Sequence, residues 1–236
     1  MAKGRCVTTA YTEPVDLVSA DPGVYPPQED SRLLVDVMDR YRPPSGLRVA
    51  DLCTGSGFVA VAAAARGGAA VTAFDICPRA VRCARANALA AGVAVDVHLG
   101  HWARAAEFGP FDLIVSNPPY VPAPNGDTGV HPADAAPPLA VDAGVDGRLV
   151  LDPLCAHAPA LLAEGGALLV VQSEFAGIDQ TVSALRGAGL RADVVTRQRI
   201  PFGPVMTSRA PWLEETGRLE RGRRTETLAV IAGVRP

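Results

Sequence analysis

Near the middle of the 236-residue chain, the apolar run Phe111-Asp112-Leu113-Ile114-Val115-Ser116 ends in Asn117-Pro118-Pro119-Tyr120. A carboxamide beside a proline-restricted backbone suits one kind of chemistry: attack of an amide or aryl amine nitrogen on a methyl group. The lone pair of such a nitrogen is delocalised into a π-system, so it is a poor nucleophile. Two acceptors that take both of its N–H protons restore sp³ character and aim the lone pair outward. The Asn117 side-chain oxygen can be one acceptor. The Pro118 carbonyl can be the other, because successive prolines narrow the local backbone. Tyr120 can lie flat against a planar amide or base. Alignment of nucleophile and methyl donor then supplies most of the acceleration. No strong base is needed, because the proton becomes acidic only as the N–C bond forms. A rigid strand-to-loop turn without chemistry is the plain alternative.

A second pattern lies upstream, in Val49-Ala50-Asp51-Leu52-Cys53-Thr54-Gly55-Ser56-Gly57-Phe58-Val59-Ala60. It reads as a strand, a small-residue turn and a helix start, where free N–H groups and missing Cβ atoms let a ligand come close. Gly55-x-Gly57-x-x-Ala60 formally fits the dinucleotide fingerprint. Asp51, ahead of the glycines, can pair with an ammonium, which a dinucleotide lacks and an amino-acid-bearing cofactor has. Asp75 closes the next strand and can accept from both hydroxyls of a ribose, in NAD and S-adenosylmethionine sites alike. For both acids the structural alternative is turn or helix capping.

Short β-rich runs that alternate with helical ones must position these groups. The strands expected are Arg48–Leu52, Ala70–Phe74, Ala94–His98, Asp112–Ser116, Ala167–Gln172, Arg191–Arg197 and Glu226–Ala232. The helices are Gln28–Arg40, Phe58–Arg66, Pro78–Ala91, Asp146–Ala163 and Ile178–Ala188. Near-continuous apolar strands such as Leu168–Val171 predict burial on both faces. The alternation predicts an α/β fold, an open parallel sheet covered by helices on both sides, with ligands along the strands' carboxyl edge. Residues 1–27, with Pro14, Pro22, Pro26 and Pro27, read as an irregular N-terminal arm, and 28–236 as a single domain. The Pro-, Gly- and Ala-rich stretch Val121–Gly147 reads as a lid or binding loop. The mixed charges of Glu214–Glu226 read as a solvated face.

Composition sets limits on partners. Hydrophobic residues make up 48% and charged residues 20%, which excludes a disordered chain. The net charge of −3 disfavours a protein whose affinity comes from neutralising phosphates. Cys6, Cys53, Cys77, Cys83 and Cys155 form no C-x-x-C pair and have no histidine at zinc-ligand spacing, so no metal site is expected and the thiols read as reduced, in a cytoplasmic protein. Met1–Pro14 holds no apolar signal core, and the smooth apolar stretch Gly57–Ala65 is about half of the ~20 residues a membrane helix needs. The oligomeric state is left open.

The order and spacing of Asp51–Gly57, Asp75 and Asn117-Pro118-Pro119-Tyr120 resemble class I S-adenosylmethionine-dependent methyltransferases with an NPPY motif. Within that group the chain resembles the HemK/PrmC-type protein-glutamine N5-methyltransferases over about residues 24–172. Gly100-His101-Trp102 is similar to their G-D-W segment, and Leu139–Gly147 to their A-L-D-G-G-x-D-G stretch. Val24-Tyr25-Pro26-Pro27-Gln28-Glu29-Asp30-Ser31 is similar to the Y-x-P-x-E-D-T segment of the shorter branch, which has no separate N-terminal helical domain.

The resemblance implies a Rossmann-like, mostly parallel seven-stranded sheet and S-adenosylmethionine as cofactor, with S-adenosylhomocysteine as product. It implies cofactor contacts at Ser31, Asp51, Cys53, Thr54, Gly55, Ser56, Gly57, Asp75, Ile76, His101, Trp102 and Asn117. Asn117, Pro118, Pro119 and Tyr120 would hold the substrate amide, with Asn117, Pro118 and Tyr120 catalytic. Cys53 stands where the family often has Gly, His101 where it has Asp, and Ala136-Pro137 where longer members have Glu-Pro. The leading expectation is methylation of a protein glutamine, such as the Gly-Gly-Gln loop of a release factor. The alternatives are adenine N6 in nucleic acid, a small molecule or another protein, and a nucleotide-binding module without catalysis. Flipped-out adenine calls for a basic groove or extra recognition domain, and the chain is acidic.

Overall fold

The computed structural model describes residues 14–124 and 143–236. Thirteen regular elements follow in order: α1 (Glu29–Tyr41), β1 (Arg48–Leu52), α2 (Phe58–Ala65), β2 (Ala70–Asp75), α3 (Pro78–Ala90), β3 (Asp96–Leu99), β4 (Phe111–Ser116), α4 (Leu151–Leu161), β5 (Leu162–Ser173), α5 (Ile178–Gly187), β6 (Arg191–Pro201), α6 (Pro204–Glu215) and β7 (Thr225–Val234). One sheet takes in all seven strands in the order β3-β2-β1-β4-β5-β7-β6. The first five in that order pair in parallel, and β7 runs antiparallel between β5 and β6. Helices α1, α2 and α3 pack on one face, and α4 and α5 on the other.

The core is made of small side chains. Ala60, Val61, Ala62 and Ala63 of α2 are fully buried, as are Val49, Ala50 and Leu52 beside them in β1. Short side chains let α2 lie close to the sheet, which brings its N-terminus to the carboxyl edge of β1. Between β1 and β4 the chain's winding reverses direction, and in such sheets a crevice opens there beyond the strand ends. Asp51, Asp75 and Asn117 all belong to that edge, at the ends of β1 and β2 and just after β4. Because β7 runs the other way, it brings its first residues, Thr225 and Glu226, to the same edge.

The sheet is mostly parallel, as the resemblance implies, and β7 is the antiparallel strand that the alternation alone does not announce. Most expected elements recur within a few residues, with three differences. The helix expected over Asp146–Ala163 covers only Leu151–Leu161, since Gly147 sits at φ 76°, outside the helical region. Strand β5 starts at Leu162, five residues early, where Phe111↔Leu162 pairing precedes a register shift. Helix α6 was not expected: its buried Met206, Arg209, Ala210 and Leu213 are spaced as a helical stripe, but Arg209 and the internal Pro211 hide it. The loop expected over Val121–Gly147 lies outside the described residues for 125–142. Its two ends are adjacent: Ala143 N–H donates to Val121 O at 3.2 Å and Ala123 N–H to Gly144 O at 2.9 Å.

Residues 14–28 cross the α2–α3 face after one 3₁₀ turn, Pro14–Leu17. Buried Asn87 of α3 anchors them: its Nδ2 donates to Ser19 O at 2.7 Å and to Ser56 O at 2.8 Å. One side chain thus ties the N-terminal segment to the turn before α2. No described helix is long and apolar enough to cross a membrane.

Candidate active site

Two cavities meet at the carboxyl edge. The first, about 370 Å³, is lined by Ser31, Asp51, Cys53, Thr54, Gly55, Ser56, Asp75, Ile76, His101, Trp102 and Asn117. Those are the residues expected to hold the cofactor, with one exception. Gly57 is the N-cap of α2 and faces away, where an added Cβ would meet Ala84 Cβ at 2.9 Å. Leu149, Val150 and Pro153, within the stretch expected as a helix and not among the expected site residues, also line it.

The turn is rigid because its polar atoms are paired. Asp75 Oδ2 accepts from Gly55 N–H at 2.9 Å and Oδ1 from Cys77 N–H at 2.8 Å, while Thr54 N–H donates to Phe74 O at 3.0 Å. Asp51 Oδ2 accepts from Thr54 Oγ1 at 2.6 Å and from Ala60 N–H at 3.1 Å. Asp51 therefore does cap the turn and the helix, through Oδ2 alone among the described residues. Burial pushes the Asp51 carboxyl up to about 7, against these two hydrogen bonds. Burial raises Asp75 as well. Cys53 has φ 63°, the conformation for which a glycine is the usual choice, and burial pushes its thiol well up, so it is a poor nucleophile. His101 lines the cavity but also caps the 3₁₀ turn Trp102–Glu107, its Nδ1 accepting from Ala103 N–H at 3.2 Å. Its ring packs on buried Trp102 with centroids 4.7 Å apart.

The second cavity, about 280 Å³, opens beside the first and is lined by Pro118, Tyr120, Asp30, Glu226 and the segment Ile200–Met206. Tyr25, Asn117 and Pro119 line both. Asn117 thus stands at the junction. Its Nδ2 donates to Ser31 Oγ at 3.2 Å, which turns the amide so that Oδ1 has no partner among the described residues. Ser31 is fixed in turn by Asp30, whose Oδ1 accepts from its N–H at 2.6 Å and its Oγ at 3.3 Å. Asp30 Oδ2 takes the hydroxyls of Tyr120 at 2.8 Å and Tyr25 at 3.1 Å. One buried carboxylate so holds the tyrosine of the Asn-Pro-Pro-Tyr segment and the serine that orients its asparagine. Asp30, Tyr25 and Glu226 were not picked out as site residues; the first two lie in the Tyr25–Ser31 segment whose resemblance was noted. Among the described residues no cluster of His, Cys, Asp or Glu could hold a metal.

The groups present fit S-adenosylmethionine. A Cβ added at Gly55 would meet no atom within 4 Å and would stand in open cavity, so that space is available to a ligand only while the residue is glycine. Two carboxylates and an indole lie around one small-molecule-sized volume. Fold and site together define an S-adenosylmethionine-dependent methyltransferase.

Comparison with known proteins narrows this. Residues 17–131 match the methyltransferase small domain family. A Methanocaldococcus jannaschii protein, provisionally named a protein N5-glutamine methyltransferase, is 31% identical over 80% of this chain and 92% of its own length. A release factor glutamine methyltransferase of Rhodospirillum rubrum is 44% identical over 61% of this chain, and the match spans 45% of that longer protein. The chain belongs to the protein-glutamine methyltransferase family. Among solved structures, that of the E. cuniculi Mtq2–Trm112 complex, described as methylating the termination factor eRF1, has a TM-score of 0.61 at 20% identity, covering 91% of this chain and 99% of that one.

Proposed function

We propose that this protein methylates the side-chain nitrogen of a glutamine in a protein substrate, the Gly-Gly-Gln loop of a peptide chain release factor, in the cytoplasm. The observation that carries the reading is the oriented amide of Asn117 between the two cavities, its Nδ2 held by Ser31 and its Oδ1 without a partner among the described residues. S-adenosylmethionine, bound in the first cavity against Asp51, Asp75 and Trp102, supplies an electrophilic methyl group. Asn117 Oδ1 and the Pro118 carbonyl accept the two N–H protons of the incoming amide. That pins its nitrogen at the mouth of the first cavity and turns its lone pair toward the donor. Tyr120, fixed by Asp30, flanks the plane of the amide. Pro118 and Pro119 keep the main-chain acceptor from moving, so little ordering is left to be done at the reacting step. As the nitrogen takes the methyl group from the sulfonium sulfur, one of the two N–H protons of the amide becomes acidic and leaves to solvent. The names and alignments of the two relatives support glutamine as acceptor.

Adenine N6 presents the same NH₂ geometry, but the second cavity is lined by Glu29, Asp30 and Glu226 and, among the described residues, by no basic one, which opposes a phosphate chain. Incubation with labelled S-adenosylmethionine and either release factor or DNA separates the two. Label is expected in the protein; label in DNA alone contradicts the proposal.

A further inference from the structure

Glu226 opens β7 opposite Ile200 of β6 and lines the second cavity. Its side chain is 4% exposed, yet Oε2 has no hydrogen-bond partner among the described residues. The other buried carboxylate there, Asp30, is saturated by two tyrosyl hydroxyls and Ser31. A buried carboxylate oxygen without a partner is costly, and proteins seldom keep one unless a ligand completes it.

The surroundings say which ligand. Glu29 and Asp30 of α1 line the same cavity, Tyr25 and Tyr120 are its titratable neighbours, and among the described residues no Arg, Lys or His belongs to the lining. Arg223 is close enough to lower the Glu226 carboxyl, but it is bonded to Glu174 and lies over the Phe175 ring. Burial, Asp30 and Glu174 outweigh Arg223 and Ser173 and hold Glu226 at about 7. The field in the cavity therefore favours a positive group, where a neutral N–H donor would need only one acceptor.

We propose that Glu226 is a second recognition point in the acceptor cavity and binds a cationic side chain of the peptide substrate, next to the residue that is methylated. The proposal rests on the protein-glutamine reading for the identity of that neighbour. It assigns Glu226 to substrate specificity, apart from the methyl transfer held by Asn117 and Pro118.

The test uses synthetic peptides with one glutamine, carrying arginine or its neutral isostere citrulline at each of the adjoining positions. At one position the arginine peptide is expected to have a KM about tenfold below that of the citrulline peptide, as one well-placed buried charge pair provides. Glu226→Gln raises the arginine peptide's KM to the citrulline value. A parallel titration follows binding of N-acetyl-arginine amide and N-acetyl-citrulline amide to protein saturated with S-adenosylhomocysteine, which needs no turnover. Saturable binding of the arginine amide alone, lost in Glu226→Gln, supports the proposal. Equal KM values at every position, or arginine amide binding that Glu226→Gln leaves intact, overturns it. Should Glu226→Gln fail to fold, the comparison of the two peptides with the unaltered enzyme still decides. If no glutamine peptide is turned over while arginine amide still needs Glu226, the glutamine reading fails and the cation site stands.

Discussion

Asn117 is fixed from one side only. Ser31 Oγ accepts from Nδ2, and in the proposed reaction the oxygen at the other end of the amide takes the substrate N–H. Removal of the carboxamide in Asn117→Ala is expected to lower kcat by about 10²-fold, the usual effect of deleting one oriented polar group at a reacting centre. Affinity for S-adenosylhomocysteine, measured by calorimetry, changes much less. Turnover equal to wild type would remove Asn117 from the reaction. Ser31→Ala leaves the amide free to rotate and is expected to lower kcat by about tenfold with the same small effect on affinity. Asp51 makes a separate prediction. Its carboxyl sits at about 7 without ligand, and an ammonium needs it ionised, so affinity for S-adenosylhomocysteine rises from pH 5.5 to 7.5. That rise is absent in Asp51→Asn; a pH-independent affinity in the unaltered protein contradicts the ammonium contact. At this scale the sequence was readable in where side chains gather: Asp75 and Asn117, each singled out by its type and its place at a strand end, line one cavity. It was not readable where the partner is remote: Asp30 lies 90 residues from Tyr120, and only folding shows that one carboxylate serves both.

At the scale of elements, the loop that carries Pro118 and Tyr120 is held against its neighbour by lack of space. Gly147 has φ 76°, and a Cβ there would meet Tyr120 O at 2.4 Å and Ala176 Cβ at 3.1 Å. Gly147→Ala therefore strains its own backbone and pushes on Tyr120. The expected result is a loss of about 1–3 kcal/mol of stability in denaturant titration, with lower kcat in the enzyme that still folds. Unchanged stability and turnover would show that the close approach is not needed. Helix α2 makes the converse case: Ala62 is fully buried, so Ala62→Leu overpacks the α2–sheet contact and is expected to cost about 1–3 kcal/mol. Alternating apolar runs gave β1, α2, β2 and α3 nearly to the residue, because each buries a continuous apolar face. Helix α6 escaped for the opposite reason. It buries Arg209 within its stripe and carries Pro211, so the periodicity that marks a buried helix face is broken in the sequence while the backbone remains helical.

At the scale of the molecule, the antiparallel placement of β7 converts a cofactor-binding sheet into a two-cavity enzyme. It brings Glu226 and the Ile200–Met206 segment alongside Asn117, which no local pattern announces. The same arrangement leaves two buried carboxyls, Asp51 and Glu226, at about 7. Unfolded, each titrates near 4, so the folded protein holds their protons more tightly. Their contribution to stability is complete below about pH 4 and is lost as pH rises through 7. Glu107 and Glu214, lowered by their arginine partners, act in the opposite sense and lose their contribution as pH falls below the ordinary carboxylate range. The ligand-free protein is expected to melt highest near about pH 5 and progressively lower toward pH 8. In a thermal-shift series this slope is reduced in Asp51→Asn. A melting temperature that climbs steadily to pH 8 contradicts the assignment of these two groups.

The grip on the substrate nitrogen is open to direct observation in a crystal structure of the protein with S-adenosylhomocysteine and a glutamine-containing release-factor peptide. The expected result places the glutamine Nε2 about 3 Å from both Asn117 Oδ1 and the Pro118 carbonyl, facing the sulfur of the bound product. A glutamine nitrogen bonded elsewhere, or a product sulfur that Asn117 cannot reach, would contradict it.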